Sequence, residues 1–312
     1  MSSPFPPFAW GRWRLEWGRA THVMGIVNVT PDSFSGDGIL RQELTEDEAC
    51  ARALAQARAF VEEGATLIDV GGESTRPGFA PLEPEEEARR VLPAIRQLAA
   101  GLPSEVIISI DTYKAAVARR ALAAGASMVN DIWGLQRDPE MAPLVAESGV
   151  PVVIMANMRE TERREIVSDV MRFLARSIDL ALAAGVAWEQ IILDPGIGFG
   201  TTPEENLSLL RRLGELRALG RPILLGTSRK RTIGLILGNV PPEERVEGTA
   251  ATVALGIAQG ADMVRVHDVH EMMRVVKISD AIVRNTFHLP VTNERHSTHP
   301  SPLRGTEERK KI

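Results

Sequence analysis

Ile191-Ile192-Leu193-Asp194-Pro195-Gly196-Ile197-Gly198-Phe199-Gly200 is the stretch from which the fold can be worked out. Three branched apolar residues read as a short buried strand. One carboxylate follows; Pro195 and Gly196 then stop the strand, and glycines space the loop beyond. Before it lies the amphipathic run Val167–Ala184, and after it Pro203–Leu219 opens on a proline. The unit is strand, polar loop, helix. A carboxylate at the mouth of a buried strand is costly without a partner. A ligand with paired N–H donors would be one partner. A helix cap or a nearby arginine would be others, and Asp194 alone does not decide among them.

The same unit recurs from His22 onward. Strand-like runs are Val23–Val29, Thr66–Val70, Val106–Ile110, Met128–Ile132, Val150–Met155, Ile191–Leu193, Pro222–Leu225 and Met263–Val266. Helix-like runs are Asp47–Glu63, Pro84–Ala99, Ala115–Ala124, Pro139–Glu147, Val167–Ala184, Pro203–Leu219, Glu243–Ala258 and Val269–Phe287. The pairs Gly64-Ala65, Gly125-Ala126 and Gly260-Ala261 mark similar helix-to-strand turns. Eight such units in a row predict an α/β fold, a (β/α)8 TIM barrel spanning residues 22–288. A doubly wound open sheet would usually place a GxGxxG turn after its first strand. Here that strand runs into Asn28-Val29-Thr30-Pro31-Asp32-Ser33-Phe34 instead. Residues 1–21 carry Trp10, Trp13 and Trp17 around Gly11, which predicts a short hairpin able to plug the barrel's N-terminal end. Residues 289–312 hold almost nothing apolar and are expected to be a disordered tail.

Composition narrows the function. The net charge of -5 disfavours nucleic acid and membrane surfaces as partners, so an anionic ligand would need a local basic cluster. A single cysteine, Cys50, leaves no intrachain disulfide. No run approaches the roughly 20 apolar residues of a membrane span, and no secretory signal stands at the start. The expected location is cytoplasmic.

In such barrels the chemistry sits at the C-terminal ends of the strands. Read in order, those ends give Asn28; Gly71-Gly72-Glu73-Ser74-Thr75-Arg76-Pro77-Gly78; Asp111 and Thr112; Asn130 and Asp131; Met155 and Asn157; Asp194; Thr227-Ser228-Arg229-Lys230; and Arg265, His267 and Asp268. Asp111, Asn130 and Asp194 lie directly against apolar runs, and suit a flat heterocycle rich in N–H donors. Arg229, Lys230, Arg265 and His267 come from the last two strands, the quarter that often binds phosphate. Asn28, Ser74 and Thr75 add donors or metal-compatible oxygens. Met155 and Phe199 can pack on a ring. The site is predicted to be two-ended: heterocycle at one end, phosphate ester at the other. No HExxH, clustered Cys/His or Ser-His-Asp set stands out, which favours a transferase or lyase with a phosphate leaving group over a hydrolase.

These motifs, taken in order over roughly His22 to Phe287, resemble the dihydropteroate synthases. The loop Gly25–Ser35, the stretch Gly71–Gly78 and the Ser228-Arg229-Lys230 turn carry the resemblance together. It implies a usually dimeric barrel, here a homodimer. The implied reaction joins 6-hydroxymethyl-7,8-dihydropterin pyrophosphate to 4-aminobenzoate, with release of pyrophosphate. By match, Asp111, Asn130 and Asp194 would hold the pterin, with Lys230 against its ring. Arg265, His267 and Asn28 would hold the pyrophosphate, with Mg2+ on Asn28. Ser74, Thr75, Arg76, Pro77, Phe199, Ser228 and Arg229 would shape the 4-aminobenzoate pocket. Asp111, Lys230, Arg265 and His267 would be the catalytic groups. The pattern departs where Ala156 and Asn157 follow Met155, a place where many members have histidine, and where the first loop reads Gly36-Asp37-Gly38. Two other readings share the pterin site: a pterin-dependent methyltransferase and a catalytically silent pterin-binding homologue. The first has no use for the basic quarter, and the second none for intact Lys230 and Arg265.

Overall fold

The computed structural model describes residues 5–30, 45–74 and 81–286. Thr75, Arg76 and Pro77, the loop with Gly36-Asp37-Gly38, and the tail lie outside the described residues. A hairpin comes first, β1 (Phe8–Trp10) and β2 (Trp13–Leu15), turning at Gly11 with a φ of 51°. Then follow β3 (His22–Asn28), β4 (Leu67–Gly71), β5 (Ile107–Asp111), β6 (Met128–Asp131), β7 (Val152–Met155), β8 (Ile191–Asp194), β9 (Leu224–Leu225) and β10 (Met263–Val266). All eight pair in parallel, in the order β8-β7-β6-β5-β4-β3-β10-β9. The Leu193 N–H donates to the Pro222 carbonyl at 2.9 Å and so brings β8 round to β9. The sheet is a nearly closed barrel, with helices between its strands.

Those helices are α1 (Glu46–Glu63), α2 (Pro84–Gly101), α3 (Ala115–Ala123), α4 (Met141–Ser148), α5 (Ile166–Ala183), α6 (Pro203–Arg211), α7 (Arg231–Ile236), α8 (Val246–Ala258) and α9 (Val269–Val283). Their ends follow from local chemistry. Thr45 and Glu48 form a reciprocal capping box at the start of α1. Gly64 ends it with a φ of 114°, and the Ala65 N–H returns to the Phe60 carbonyl at 2.8 Å. The same return bond recurs from Ala126 to Ala121 and from Ala261 to Gly256, which accounts for the repeated Gly-Ala pair.

Three elements differ from the sequence reading. The expected helix Pro203–Leu219 is α6 followed by a 3-10 segment, Leu213–Leu219. Gly214 lies at the break, and a Cβ there would stand 3.0 Å from Gln259 Oε1. The short α7 was not expected, and α8 begins three residues after the predicted start, behind the 3-10 turn Pro242–Glu244. α9 stops at Val283 rather than Phe287.

Successive strand residues alternate between the two faces of the wall. Val23, Val27, Ile68, Val70, Ile108, Ile110, Val129, Ile154 and Leu193 pack into the layer shared with the helices. The other face gives one residue per strand to a floor: Met24, Leu67, Ile107, Met128, Val153, Ile192, Leu224 and Met263. Phe5, Leu15 and Trp17 cover that floor, with Trp10 and Trp13 at its edge. Trp10 Nε1 donates to the Ser127 carbonyl at 2.9 Å and Trp13 Nε1 to that of Val106 at 3.2 Å. The hairpin is the expected plug.

Candidate active site

Two residues above the floor, the same interior face carries Ile26, Asp69, Ser109, Asn130, Met155, Asp194, Gly226 and Arg265. The layer below is wholly apolar; this one holds two carboxylates, an amide and a guanidinium. Arg265 sits among them, its Nε donating to Asp69 Oδ2 at 2.6 Å and its Nη2 to Asp111 Oδ2 at 2.8 Å. Asn130 Nδ2 donates to the same Asp69 oxygen at 2.9 Å. Asp194 takes the Gly196 N–H on Oδ1 at 2.8 Å, while its Oδ2 lies 3.7 Å from where a Gly226 Cβ would be. Arg265 Cβ is 4.0 Å from that same point, so Asp194 and Arg265 both border the space beside Gly226. One step higher, Asn28, Gly71 and Asp111 are in register across β3, β4 and β5. Asn28 Oδ1 and Asp111 Oδ2 each stand 3.7 Å from the place a Gly71 Cβ would take.

Burial sets the acid–base state. It pushes the Asp194 carboxyl up to about 6, against the pull of the Gly196 N–H, Lys230 and Arg265. It pushes Asp111 up to about 7; Arg265 opposes this and Asp69 adds to it. Burial pulls Lys230 down to about 8, opposed by Asp194. Lys230 Nζ lies 4.3 Å from the centre of the Phe199 ring, and the Arg159 guanidinium 5.0 Å from it. Met155 is buried in the register position beside Asp194.

The turn after β9 is stitched to the turn after β10. Ser228 Oγ accepts the His267 backbone N–H at 3.1 Å and lies 2.9 Å from His267 Nδ1. A hydroxyl that accepts from one neighbour has its proton to give the other. Where Nδ1 is the unprotonated ring nitrogen it accepts from that hydroxyl, and the ring N–H then lies on Nε2. Arg229, with a φ of 55°, pairs with Asp268, its Nε reaching Oδ2 at 3.0 Å. Its backbone is held by Thr249 and Arg245: the Arg229 N–H donates to Thr249 Oγ1 at 3.1 Å and its carbonyl accepts Arg245 Nη1 at 2.8 Å.

Asn28, Asp111, Asn130, Met155, Asp194, Phe199, Ser228, Arg229, Lys230, Arg265 and His267 thus belong to one end of the barrel. Ser74 stands at the end of the described part of the β4 loop, beside Glu73. Two polar groups read at strand ends belong to the scaffold instead. Asp131 accepts the Trp133 and Leu135 N–H groups at 2.8 and 2.9 Å, and Asn157 donates to the Ile132 carbonyl at 3.1 Å.

Sequence reasoning missed Asp69, which is fully buried within an apolar run. It also missed Lys114, which pairs with both Glu73 and Glu87 beneath the β4 loop. Glu73 Oε2 also accepts the Leu82 N–H at 2.8 Å, so this buried cluster ties both feet of that loop.

A family model described as pterin binding enzyme matches residues 24–267. The chain is 48% identical over 269 residues to a dihydropteroate synthase of Bacillus subtilis (strain 168), covering 86% of this chain and 91% of that one. Among solved structures, it is similar to a dihydropteroate synthase from Clostridium difficile in the presence of pteroic acid. That likeness has a TM-score of 0.80 at 47% identity and covers 86% of this chain and 99% of the other. A Xanthomonas albilineans dihydropteroate synthase with 4-aminobenzoic acid gives a TM-score of 0.79 at 41% identity, covering 86% and 95%. With a match over most of its length and a barrel mouth built of these groups, the chain belongs to the pterin-binding enzyme family.

Proposed function

We infer that this barrel carries out dihydropteroate synthesis, the transferase step of folate biosynthesis that joins a pterin to 4-aminobenzoate. The observation that carries this is the interior polar layer: Asn130 and Asp194, acceptors for a donor-rich ring edge, share one mouth with Arg265 and Lys230.

The reacting pterin is 6-hydroxymethyl-7,8-dihydropterin pyrophosphate. Asp194 and Asn130 take the N–H groups of the ring edge, and Lys230 lies against the ring. Arg265, His267 and Asn28 hold the pyrophosphate. The bond between the methylene carbon and the pyrophosphate oxygen breaks, and its electron pair leaves with the pyrophosphate. Positive charge develops on the pterin, where ionised Asp111 stabilises it. The amine nitrogen of 4-aminobenzoate then bonds to the methylene and loses a proton to the medium or the leaving group. A neutral arylamine needs no strong base, so the Ser228–His267 hydrogen bond at the mouth is given a positioning role rather than a nucleophilic one. Ser74, Thr75, Arg76, Pro77, Phe199, Ser228 and Arg229 form the 4-aminobenzoate side.

Mg2+ suits this mouth as a companion of the substrate. No group of three or more His, Cys, Asp or Glu able to hold a metal occurs among the described residues. Asn28 offers one amide oxygen at the open end, beside Gly71 and Asp111. That donor set fits a cation that keeps waters and takes phosphate oxygens. When bound it would neutralise charge on the leaving pyrophosphate. The assay is formation of 7,8-dihydropteroate from both substrates, followed by mass. Absence of product from the folded wild-type chain overturns the reading, and full turnover in excess EDTA overturns the metal.

The homodimer is proposed through α8 and α9, where Leu255, Ile278 and Ile282 are 66%, 66% and 77% exposed on packed neighbouring helices. Sedimentation of the wild type and of Ile282→Glu tests it; a monomeric wild type overturns it. No helix among the described residues is long and apolar enough to cross a membrane. The cytoplasm is the proposed compartment.

A further inference from the structure

We propose that Asp69 is a positioning residue, whose single oxygen Oδ2 fixes Asn130 as an acceptor toward the ligand and sets the plane of Arg265. The inference rests on the pterin reading above and adds a determinant of which ring edge is accepted.

Asp69 lies on β4, and its two partners lie on strands that do not touch β4. In the sheet, β5 separates it from β6 and Asn130, and β3 separates it from β10 and Arg265. Both bonds therefore cross the barrel interior to one oxygen, at 2.9 and 2.6 Å. The other oxygen, Oδ1, is buried and has no hydrogen-bond partner among the described residues. Asp69 is fully buried, so a ligand in the mouth meets Asn130 and Arg265 rather than Asp69 itself.

The consequence for Asn130 follows from donor and acceptor chemistry. A carboxylate accepts only, so the end of the Asn130 amide that faces Asp69 must be the NH2 group. The amide oxygen is turned the other way. A ring edge presenting N–H there is bonded; an edge presenting a carbonyl meets oxygen against oxygen. For Arg265, Nε and Nη2 are taken by Asp69 and Asp111. The planar fork is thereby fixed, with Nη1 left for an anion. A residue serving only the packing would be cheaper here as an apolar side chain, since a buried ion pair seldom exceeds its hydrophobic replacement in stability. Ile26 and Met155 fill the same layer in that way.

The test titrates the full chain with 6-hydroxymethylpterin and with its lumazine analogue, in which the 2-amino group is a carbonyl, by calorimetry. The wild type should prefer the pterin. In Asp69→Asn the Asn130 amide is free to turn over, because an amide both donates and accepts. Pterin affinity should fall about 10- to 100-fold and the preference over lumazine should narrow. Loss of general stability would lower both affinities and leave their ratio alone. In an Asn130→Ala background, Asp69→Asn should not change the ratio further. Asp69→Leu is the second variant, with the same narrowing expected. If neither variant folds, the wild-type Asn130 side-chain amide decides by hydrogen exchange: protection without ligand supports the bond, and exchange at the solvent rate overturns it. An unchanged ratio in either folded variant overturns the positioning role while the pterin reading stands. A wild type that binds no pterin overturns both.

Discussion

The barrel interior holds two adjacent layers with opposite chemistry. The floor is eight apolar side chains, one from each strand, sealed by the hairpin. Two residues further along the same strands, roughly 6–7 Å higher, the wall carries Asp69, Asn130, Asp194 and Arg265. Nothing in the backbone separates the two: the strands, pairing and pleat are shared. The difference lies in what each layer has for a partner. The floor meets Leu15 and Trp17 and gains by excluding water. The upper layer buries polar groups, and the raised carboxyl of Asp194 within it, with the raised Asp111 and lowered Lys230 beside it, marks that cost.

The sharpest way to break this contrast is Arg265→Met. It removes the cation shared by Asp69 and Asp111, leaving two buried carboxylates together. Stability should fall by about 3–5 kcal/mol in chemical denaturation at pH 7, and synthesis should cease. If the variant unfolds at the wild-type midpoint, the upper layer is as tolerant as ordinary apolar packing, and the contrast fails. Leu15→Ala probes the other layer. Leu15 is 1% exposed over the floor. The loss should be about 2–5 kcal/mol of stability, with pterin affinity of the folded protein unchanged. A matching loss of affinity would show that the layers are coupled.

Asp194→Ala should do the reverse. Pterin affinity should weaken by about 2–4 kcal/mol, because ligand donors are left unpaired. Stability should move little, since two effects offset. The Gly196 N–H loses its acceptor, but a buried carboxylate that resists ionisation is removed. The sign follows from the raised pKa: ionisation costs the fold above about pH 6 and is relieved below the ordinary carboxylate range. The smallest effect is the pH dependence of binding. Pterin affinity should fall by about tenfold per unit as pH drops below about 6, as Asp194 protonates. It should weaken again above about 8 as Lys230 loses its charge. Asp194→Asn should abolish the acid limb only; a limb that survives belongs to another group.

The repeat of strand, loop and helix was readable because each strand run is mostly apolar and has a polar or soft residue at or just beyond its end. The hairpin's role followed from three tryptophans with little else to cover. Asp111, Asn130, Asp194 and Arg265 were found by reading strand ends. Asp69 was not, since it precedes its strand's end by two residues, within Leu67-Ile68-Asp69-Val70. Parity would have found it: Leu67, Asp69 and Gly71 share one face. The same parity separates Asn130, which faces inward, from Asp131, which caps its own loop. The Lys114 cluster needed three dimensions, because Glu73, Glu87 and Lys114 come from different loops and helices. Thr75, Arg76 and Pro77, central to the resemblance, stand outside the described residues.

The corner at Gly196 carries a consequence for inhibitor design. Its φ is 70°, and a Cβ there would lie 1.8 Å from the Ala156 carbonyl oxygen, a backbone atom that cannot move aside. Ala156 is itself tied to the corner, its N–H donating to the Asp194 carbonyl at 3.0 Å. Every side chain is therefore shut out at this position. A compound that draws its affinity from the Asp194–Gly196 corner would press on a surface with few routes of mutational escape. One that leans on the exposed rim would leave the protein far more ways to change.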